Sequence, residues 1–148
     1  MAINSRFAIA IHILTMLNDD NQEPKTSEYL ADSVNTNPVF IRRIMGGLRK
    51  AGLVDSQPGA GGGAFLARPP DQINLLDIYK AVEEEQLFSL HTHQPNQYCP
   101  CGENIQPILQ GVFGKAEVAL EQSLAETTLA QIKQAVFSQD KLPKFTNR

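Results

Sequence analysis

The chain has 148 residues, of which 42% are hydrophobic and 20% charged, with a formal net charge of −3. This composition builds one ordinary core, or one small domain with an appendage, and excludes a disordered chain. No stretch approaches the roughly 20 apolar residues of a membrane span. Two cysteines are too few for a disulfide framework. We therefore predict a cytoplasmic protein with no membrane partner.

The charges are unevenly distributed along the chain. Residues 1–68 carry seven Lys or Arg against six Asp or Glu, whereas residues 69–148 carry six against ten. Between Ser33 and Val54 there is no acid, and four basic residues cluster there: Arg42, Arg43, Arg49 and Lys50. A local basic strip binds phosphate even on an acidic protein, although it is also typical of a solvated helix face.

The first predicted helix spans residues 5–17. Ser5 is a suitable N-cap, and the following residues are apolar on most sides, which predicts burial on most sides. His12 lies inside this stretch and is more typical of a satisfied core or interface histidine than of a metal ligand. A polar loop is expected over 18–24.

A second, short helix is expected to open at Thr26 or Ser27. Its predicted apolar contacts are Tyr29, Leu30 and Val34. Asn35 and Thr36 then make a turn, because Asn tolerates the left-handed backbone conformation.

The third predicted helix begins cleanly, with Asn37 as N-cap and Pro38 at the first helical position. One apolar stripe follows at helical spacing: Ile41, Ile44, Met45 and Leu48. Gly52 ends the helix. Gly46 and Gly47 cost about 1 kcal/mol each relative to Ala inside a helix. Their presence indicates either a close approach by another backbone or simple tolerance.

A hairpin is predicted next, with strands at 53–57 and 64–67 around a glycine-rich tip at 58–63. The tip is not a nucleotide-binding loop, because no Lys-Ser/Thr pair follows it and no helix begins after it.

The C-terminal half is predicted to be helical. Asn74 can cap a fourth helix that runs through Val82 and ends in the acidic run at 83–85, and residues 91–102 form a loop. An apolar stripe then runs over 105–124, and Thr127 or Thr128 starts a last helix over 129–137. A long amphipathic helix needs a cover, which favours a homodimer over coverage by its own domain.

Three short helices followed by a hairpin are typical of a winged helix-turn-helix, whose third helix enters the major groove. The predicted fold is therefore mainly α, with a two-stranded wing. Residues 1–85 form the DNA-binding domain, 86–103 a sensor or connecting loop, and 104–140 a helical dimerisation segment. The candidate DNA-binding residues are Ser5, Thr26, Ser27, Asn37, Val39, Phe40, Arg42, Arg43, Lys50, Gly61 and Gly62.

Several segments of the chain resemble the Rrf-two family of winged-helix regulators. The resemblance covers about residues 3–137, and its most specific part is Ala-Gly-Leu-Val at 51–54 with the glycines of 59–63. Other matching segments are 5–14, 36–44, 66–69, 73–82, Cys99-Pro100, Asn104-Ile105 and Thr128-Leu129. The resemblance implies a homodimer, joined through the long helix, that reads a palindromic operator, usually as a repressor.

The chain departs from that family in two places. Iron–sulfur members hold their cluster with three cysteines in the loop before the long helix, whereas this loop has only Cys99 and Cys101. A cluster normally needs about four protein ligands, so we predict no cluster. Several members also carry an Arg just before the hairpin glycines, where this chain has Gln57 and Pro58. The wing is therefore expected to contact only the DNA backbone.

The loop with these cysteines leaves three interpretations open. Cys99 can be a small buried hydrophobe. Cys99 and Cys101 can be redox-sensing thiols, because the adjoining helix N-terminus lowers a thiol pKa. His91, His93, Cys99 and Cys101 are candidate zinc ligands, but their spacing is tighter than in usual zinc sites. We predict that the protein carries no cofactor.

The sequence favours a DNA-binding transcriptional regulator, with a winged-helix protein-interaction module lacking a DNA target as the alternative. An enzyme is not predicted, because no nucleophile–base pair, paired carboxylates in a pocket or cofactor motif is present. The acidic run at 83–85 is more typical of a solvated helix end.

Overall fold

The computed structural model describes residues 5–138, which form six α-helices and one two-stranded antiparallel sheet. The elements are α1 Arg6–Leu17, α2 Ser27–Val34, α3 Pro38–Lys50, β1 Val54–Gln57, β2 Gly63–Leu66, α4 Leu75–Val82, α5 Pro100–Ala125 and α6 Leu129–Phe137. A short 3-10 helix at Pro70–Gln72 joins β2 to α4. The predicted fold, mainly helical with a two-stranded wing, is confirmed. Every helix in residues 5–138 is too short or too polar to span a lipid bilayer.

The core is built around α1, which packs against α2, α3, α4 and α6. Its inner residues Ala10, Ile13 and Leu14 are fully buried, as the apolar sequence predicts. The α3 stripe is also buried: Ile41, Ile44, Met45 and Leu48. Burying a large aliphatic side chain stabilises the fold by about 1.5–3 kcal/mol, so this stripe anchors α3 to the domain.

The first residues of α2 and α3 are fixed by side chains that cap the free backbone N–H groups. The Thr26 hydroxyl accepts the backbone N–H of Tyr29 at 3.1 Å, and the Asn37 side chain accepts that of Phe40 at 2.8 Å. Asn35 takes the left-handed conformation with φ of 63°. Ser5 occupies the N-cap position of α1, but its side chain makes no capping hydrogen bond.

Tyr29 is the exception among the predicted apolar contacts of α2. The prediction that it packs inward is wrong, because the side chain is 58% exposed. The ring instead lies 5.9 Å from the ammonium of Lys25, in cation–π range.

The hairpin pairs Val54 with Leu66 at its base and Gln57 with Gly63 near its tip. Lys25, which precedes α2, forms an isolated antiparallel bridge with Ala64 of β2. Its N–H donates to the Ala64 carbonyl at 2.9 Å, and the Ala64 N–H donates back at 2.8 Å. The wing is therefore joined directly to the start of the helix-turn-helix.

One of the two glycines inside α3 marks a close contact. A Cβ at Gly47 would lie 2.9 Å from the carbonyl oxygen of Ala81 in α4, whereas a Cβ at Gly46 would meet nothing within 4 Å. Close backbone approach therefore accounts for Gly47, and tolerance for Gly46.

The long helix α5 begins at Pro100, four residues before the predicted segment boundary at 104. The helix α6, which the sequence placed in the dimerisation segment, returns to the winged-helix core. Leu129 is fully buried there, its N–H donates to the Ile73 carbonyl at 2.8 Å, and the Leu75 N–H donates to Thr127 at 2.9 Å. An apolar stripe does not specify which core it enters, so this docking had no sequence signal. Residues 139–140 of the predicted segment lie outside the described residues.

Candidate nucleic-acid interface

The helix α3 has one buried side and one exposed side. Val39 is 62% exposed, and Arg42 and Arg43 are also exposed, whereas the stripe on the opposite side is buried. Phe40 is half-buried and packs against the core, so it is less available to a thymine methyl than Val39. An exposed helix of this width with basic side chains on its free face fits the major groove.

Arg42 is held by a residue of the neighbouring helix. Its Nη2 donates to Oε1 of Glu28 in α2 at 2.6 Å. Both side chains are more than half exposed, at 54% for Arg42 and 63% for Glu28, so water screens the pair strongly.

A cationic groove of about 300 Å³ lies between the start of α2, the side of α3 and the base of the wing. Its lining residues are Lys25, Ser27, Arg42, Met45, Arg49, Ser56, Gly63 and Ala64. Arg49 Nη2 donates to Ser56 Oγ at 2.5 Å. None of these lining residues, all within the described chain, is an acid, but Lys25 is paired with Asp19 and Arg42 with Glu28. Arg49 is the lining cation to which the structure of 5–138 gives no carboxylate partner, and a backbone phosphate would fit beside it.

The candidate set from the sequence contained Ser27 and Arg42 but lacked the other three polar or charged lining residues, Lys25, Arg49 and Ser56. Arg49 belonged to the basic cluster and could have been included on that signal. Lys25 and Ser56 had no local signal, because the isolated bridge to Ala64 and the turn of the hairpin bring them to the groove.

The other candidate DNA-binding residues occupy several elements. Ser27 lines the cationic groove. Thr26, Asn37 and Lys50 are exposed, although the side chains of Thr26 and Asn37 already act as helix caps. Ser5 is exposed at the start of α1, on an element outside the helix-turn-helix.

The two glycines predicted to contact DNA at the wing tip differ in accessibility. Gly61 is exposed, whereas Gly62 is buried and its N–H donates to the Gly59 carbonyl at 3.0 Å. A Cβ at Gly62 would lie 2.0 Å from the Gln57 carbonyl oxygen. Gly62 therefore shapes the tip, and of these two glycines it is Gly61 that offers an open backbone to a phosphate chain.

Cys99 and Cys101 lie at the start of α5, and both are free, exposed thiols. The interpretation of Cys99 as a buried hydrophobe is therefore wrong, because the loop lies at the surface. Cys99 is the N-cap residue. The backbone N–H groups of Gly102 and Cys101 lower the pKa of its thiol by stabilising the thiolate.

His91 and His93 are also exposed. In the range 5–138, the structure brings together no group of three or more His, Cys, Asp or Glu residues that could hold a metal ion. His12 is exposed on α1, with its Nε2 3.0 Å from Ser33 Oγ, and lies outside the core.

A basic third helix projecting from a three-helix core, beside a two-stranded wing, defines a winged helix-turn-helix DNA-binding protein. The family model described as "Rrf2: Iron-dependent Transcriptional regulator" matches residues 3–135. The chain belongs to this Rrf2 (Rrf-two) family, as the resemblance implied.

Similar proteins support the same class. The chain is 43% identical over 136 residues to YwnA of Bacillus subtilis, which is assigned as an HTH-type transcriptional regulator, covering 91% of this chain and 99% of YwnA. A crystal structure described as that of a DNA-binding protein is 40% identical, with a TM-score of 0.70 over 86% of this chain and 98% of the other. The T. potens IscR structure has the same TM-score of 0.70 at 21% identity, over 98% and 95% of the two chains, and shares the fold.

The protein is therefore a DNA-binding transcriptional regulator. Family and relatives favour this function over the protein-interaction alternative, and they are regulators rather than enzymes.

Proposed function

We propose that the protein is a homodimeric repressor that reads a palindromic operator with α3 and responds to oxidants through Cys99 and Cys101. The proposal that α3 reads DNA depends on one observation. The apolar stripe of α3 is buried in the core, whereas Arg42 and Arg43 on its other side are exposed. A regulator of this kind acts where the chromosome lies, which supports the predicted cytoplasmic location.

The homodimer is supported by the surface of α5. This helix has 26 residues, and none of them is buried. Ile108, Val112 and Val118 are 60%, 55% and 54% exposed. Exposed apolar side chains along one long helix mark an interaction surface, and a second copy is the partner that the family resemblance implies. Two copies related by a two-fold axis would present two α3 helices to two half-sites of a palindrome.

The oxidant response is supported by the exposed thiols and by the lowered pKa of Cys99. The Cys99 thiolate would attack a peroxide oxygen, so that the sulfur becomes a sulfenic acid and the peroxide is reduced to water. The Cys101 thiol would then attack the sulfenic sulfur, so that a disulfide forms and the sulfenic oxygen leaves as another water. This chemistry needs no metal, so the proposal includes neither an iron–sulfur cluster nor zinc.

The test is fluorescence anisotropy with duplexes from the region upstream of the gene, using wild-type protein, Arg42→Ala and Arg43→Ala. A side chain that reads a base should weaken operator binding by about 1–3 kcal/mol when it is removed. Lys80→Ala, an exposed charge change on α4, is the control. Unchanged affinity in both Arg variants would argue against α3 as the reader.

The homodimer is tested by measuring the mass of the free protein by light scattering, which should be twice that of one chain. Peroxide treatment of wild type and Cys99→Ser tests the signal. A monomer at micromolar concentration would contradict the homodimer, and equal operator affinity before and after peroxide would contradict the oxidant response.

A further inference from the structure

Glu28 is an acid placed at the edge of the DNA-facing surface. It lies in the first turn of α2, and its Oε1 accepts Nη2 of Arg42 at 2.6 Å. The two residues are fourteen positions apart in sequence, so the turn between α2 and α3 creates the pair. Within 5–138 the structure gives Arg42 no other ion pair or side-chain hydrogen bond.

A carboxylate at this place needs an explanation. The phosphates of a bound duplex would repel it, and α3 itself carries no acid. An exposed ion pair adds little to folding stability, and the pair is more than half exposed on both sides. The first turn of α2 also favours an acid through the helix dipole. That effect does not involve Arg42, whereas the 2.6 Å contact acts directly on the Arg42 guanidinium.

We propose that Glu28 is a positioning residue that makes Arg42 a base reader. An unrestrained Arg is a flexible chain that binds phosphate on any DNA sequence. The Glu28 carboxylate accepts one N–H of Arg42 Nη2. The other N–H of Nη2 stays parallel to an N–H of a neighbouring guanidinium nitrogen, and two such donors recognise guanine. The carboxylate also neutralises Arg42 towards phosphates, which lowers affinity for non-operator DNA. This inference rests on the proposed reading of DNA by α3.

The experiment first uses footprinting with wild-type protein to find the operator in the region upstream of the gene. The full-length protein is then compared by fluorescence anisotropy on two duplexes of equal length, this operator and a scrambled version of it. The variants are Glu28→Ala, Glu28→Gln and, as matched control, Asp32→Ala. Asp32 is exposed on the same helix, one turn further along, and takes no part in the Arg42 pair. The control therefore removes the same charge from the same helix without changing the Arg42 contact.

Glu28→Ala should lower the ratio of operator affinity to scrambled affinity roughly tenfold, within the discrimination that one two-donor base contact supplies. Asp32→Ala should leave the ratio unchanged while shifting both affinities together. Glu28→Gln keeps an oxygen acceptor for Arg42 and should recover part of the ratio. In an Arg42→Ala background, Glu28→Ala should have no further effect on the ratio.

Two results would overturn the inference alone: a ratio for Glu28→Ala equal to that for Asp32→Ala, or an undiminished effect of Glu28→Ala in the Arg42→Ala background. Thermal melting of each variant identifies a folding defect, and Glu28→Ala protein that melts like wild type and keeps the wild-type ratio also contradicts the inference. A wild-type protein that fails to distinguish the two duplexes would overturn the proposed DNA reading and this inference together.

Discussion

Arg49 Nη2 donates to Ser56 Oγ at 2.5 Å, so the last turn of α3 is tied to the first strand of the wing. The two side chains line the same cationic groove as Lys25. The helix α3 and the wing therefore share one groove, and a phosphate seated there would contact both.

Removal of Arg49 should weaken binding to all DNA sequences by a similar factor. A phosphate contact carries no sequence information, and its loss should reduce the slope of log affinity against log salt by about 1. Arg49→Ala is measured on operator and scrambled duplexes at several salt concentrations, with Lys80→Ala as the control for total charge. A loss confined to the operator would show that Arg49 reads a base instead.

The two adjacent glycines of α3 should respond in opposite ways to alanine. Gly47→Ala brings a Cβ to 2.9 Å from the Ala81 carbonyl, and overpacking of this kind costs about 1–3 kcal/mol of the free energy of unfolding. Gly46→Ala meets nothing within 4 Å and should stabilise the helix by up to about 1 kcal/mol. Urea unfolding of the two variants measures both effects. Equal stabilities for the pair would contradict the close approach of α4 to α3.

Truncation of Leu129 should destabilise the winged-helix domain, although the residue lies beyond the long helix. Leu129 is fully buried, and Leu→Ala in a core costs about 2–5 kcal/mol. Val136→Ala, on the same helix and 58% exposed, should change the free energy of unfolding by less than about 0.5 kcal/mol. If Leu129→Ala melts like Val136→Ala, α6 does not dock on the core.

Cys99 should react as a thiolate at lower pH than an ordinary free cysteine. The N–H groups of Gly102 and Cys101 lower the pKa of its thiol, so the thiolate fraction at neutral pH rises. The rate of iodoacetamide alkylation against pH, measured in Cys101→Ser protein to isolate Cys99, should have its midpoint below that of N-acetylcysteine in the same buffer. A midpoint at or above the reference would mean that the helix start does not stabilise the thiolate.

The amino-acid sequence by itself determined the local architecture. Asn37, Pro38 and the apolar stripe of α3 specify where that helix begins and which side it buries, because capping and helical periodicity act over a few neighbouring residues. The glycine-rich tip at 58–63 likewise predicted the hairpin within one residue at each strand. These signals were sufficient for the winged helix-turn-helix and, with the family resemblance, for a DNA-binding regulator.

Only the tertiary structure decided which side chains act together. The pairs Glu28–Arg42 and Arg49–Ser56 form because the turn after α2 and the hairpin bring separate segments to one surface. The burial of Leu129 and the approach of Gly47 to Ala81 depend in the same way on packing between distant segments. A periodic pattern states that a face is apolar, but the partner of that face follows from the shape of the whole core.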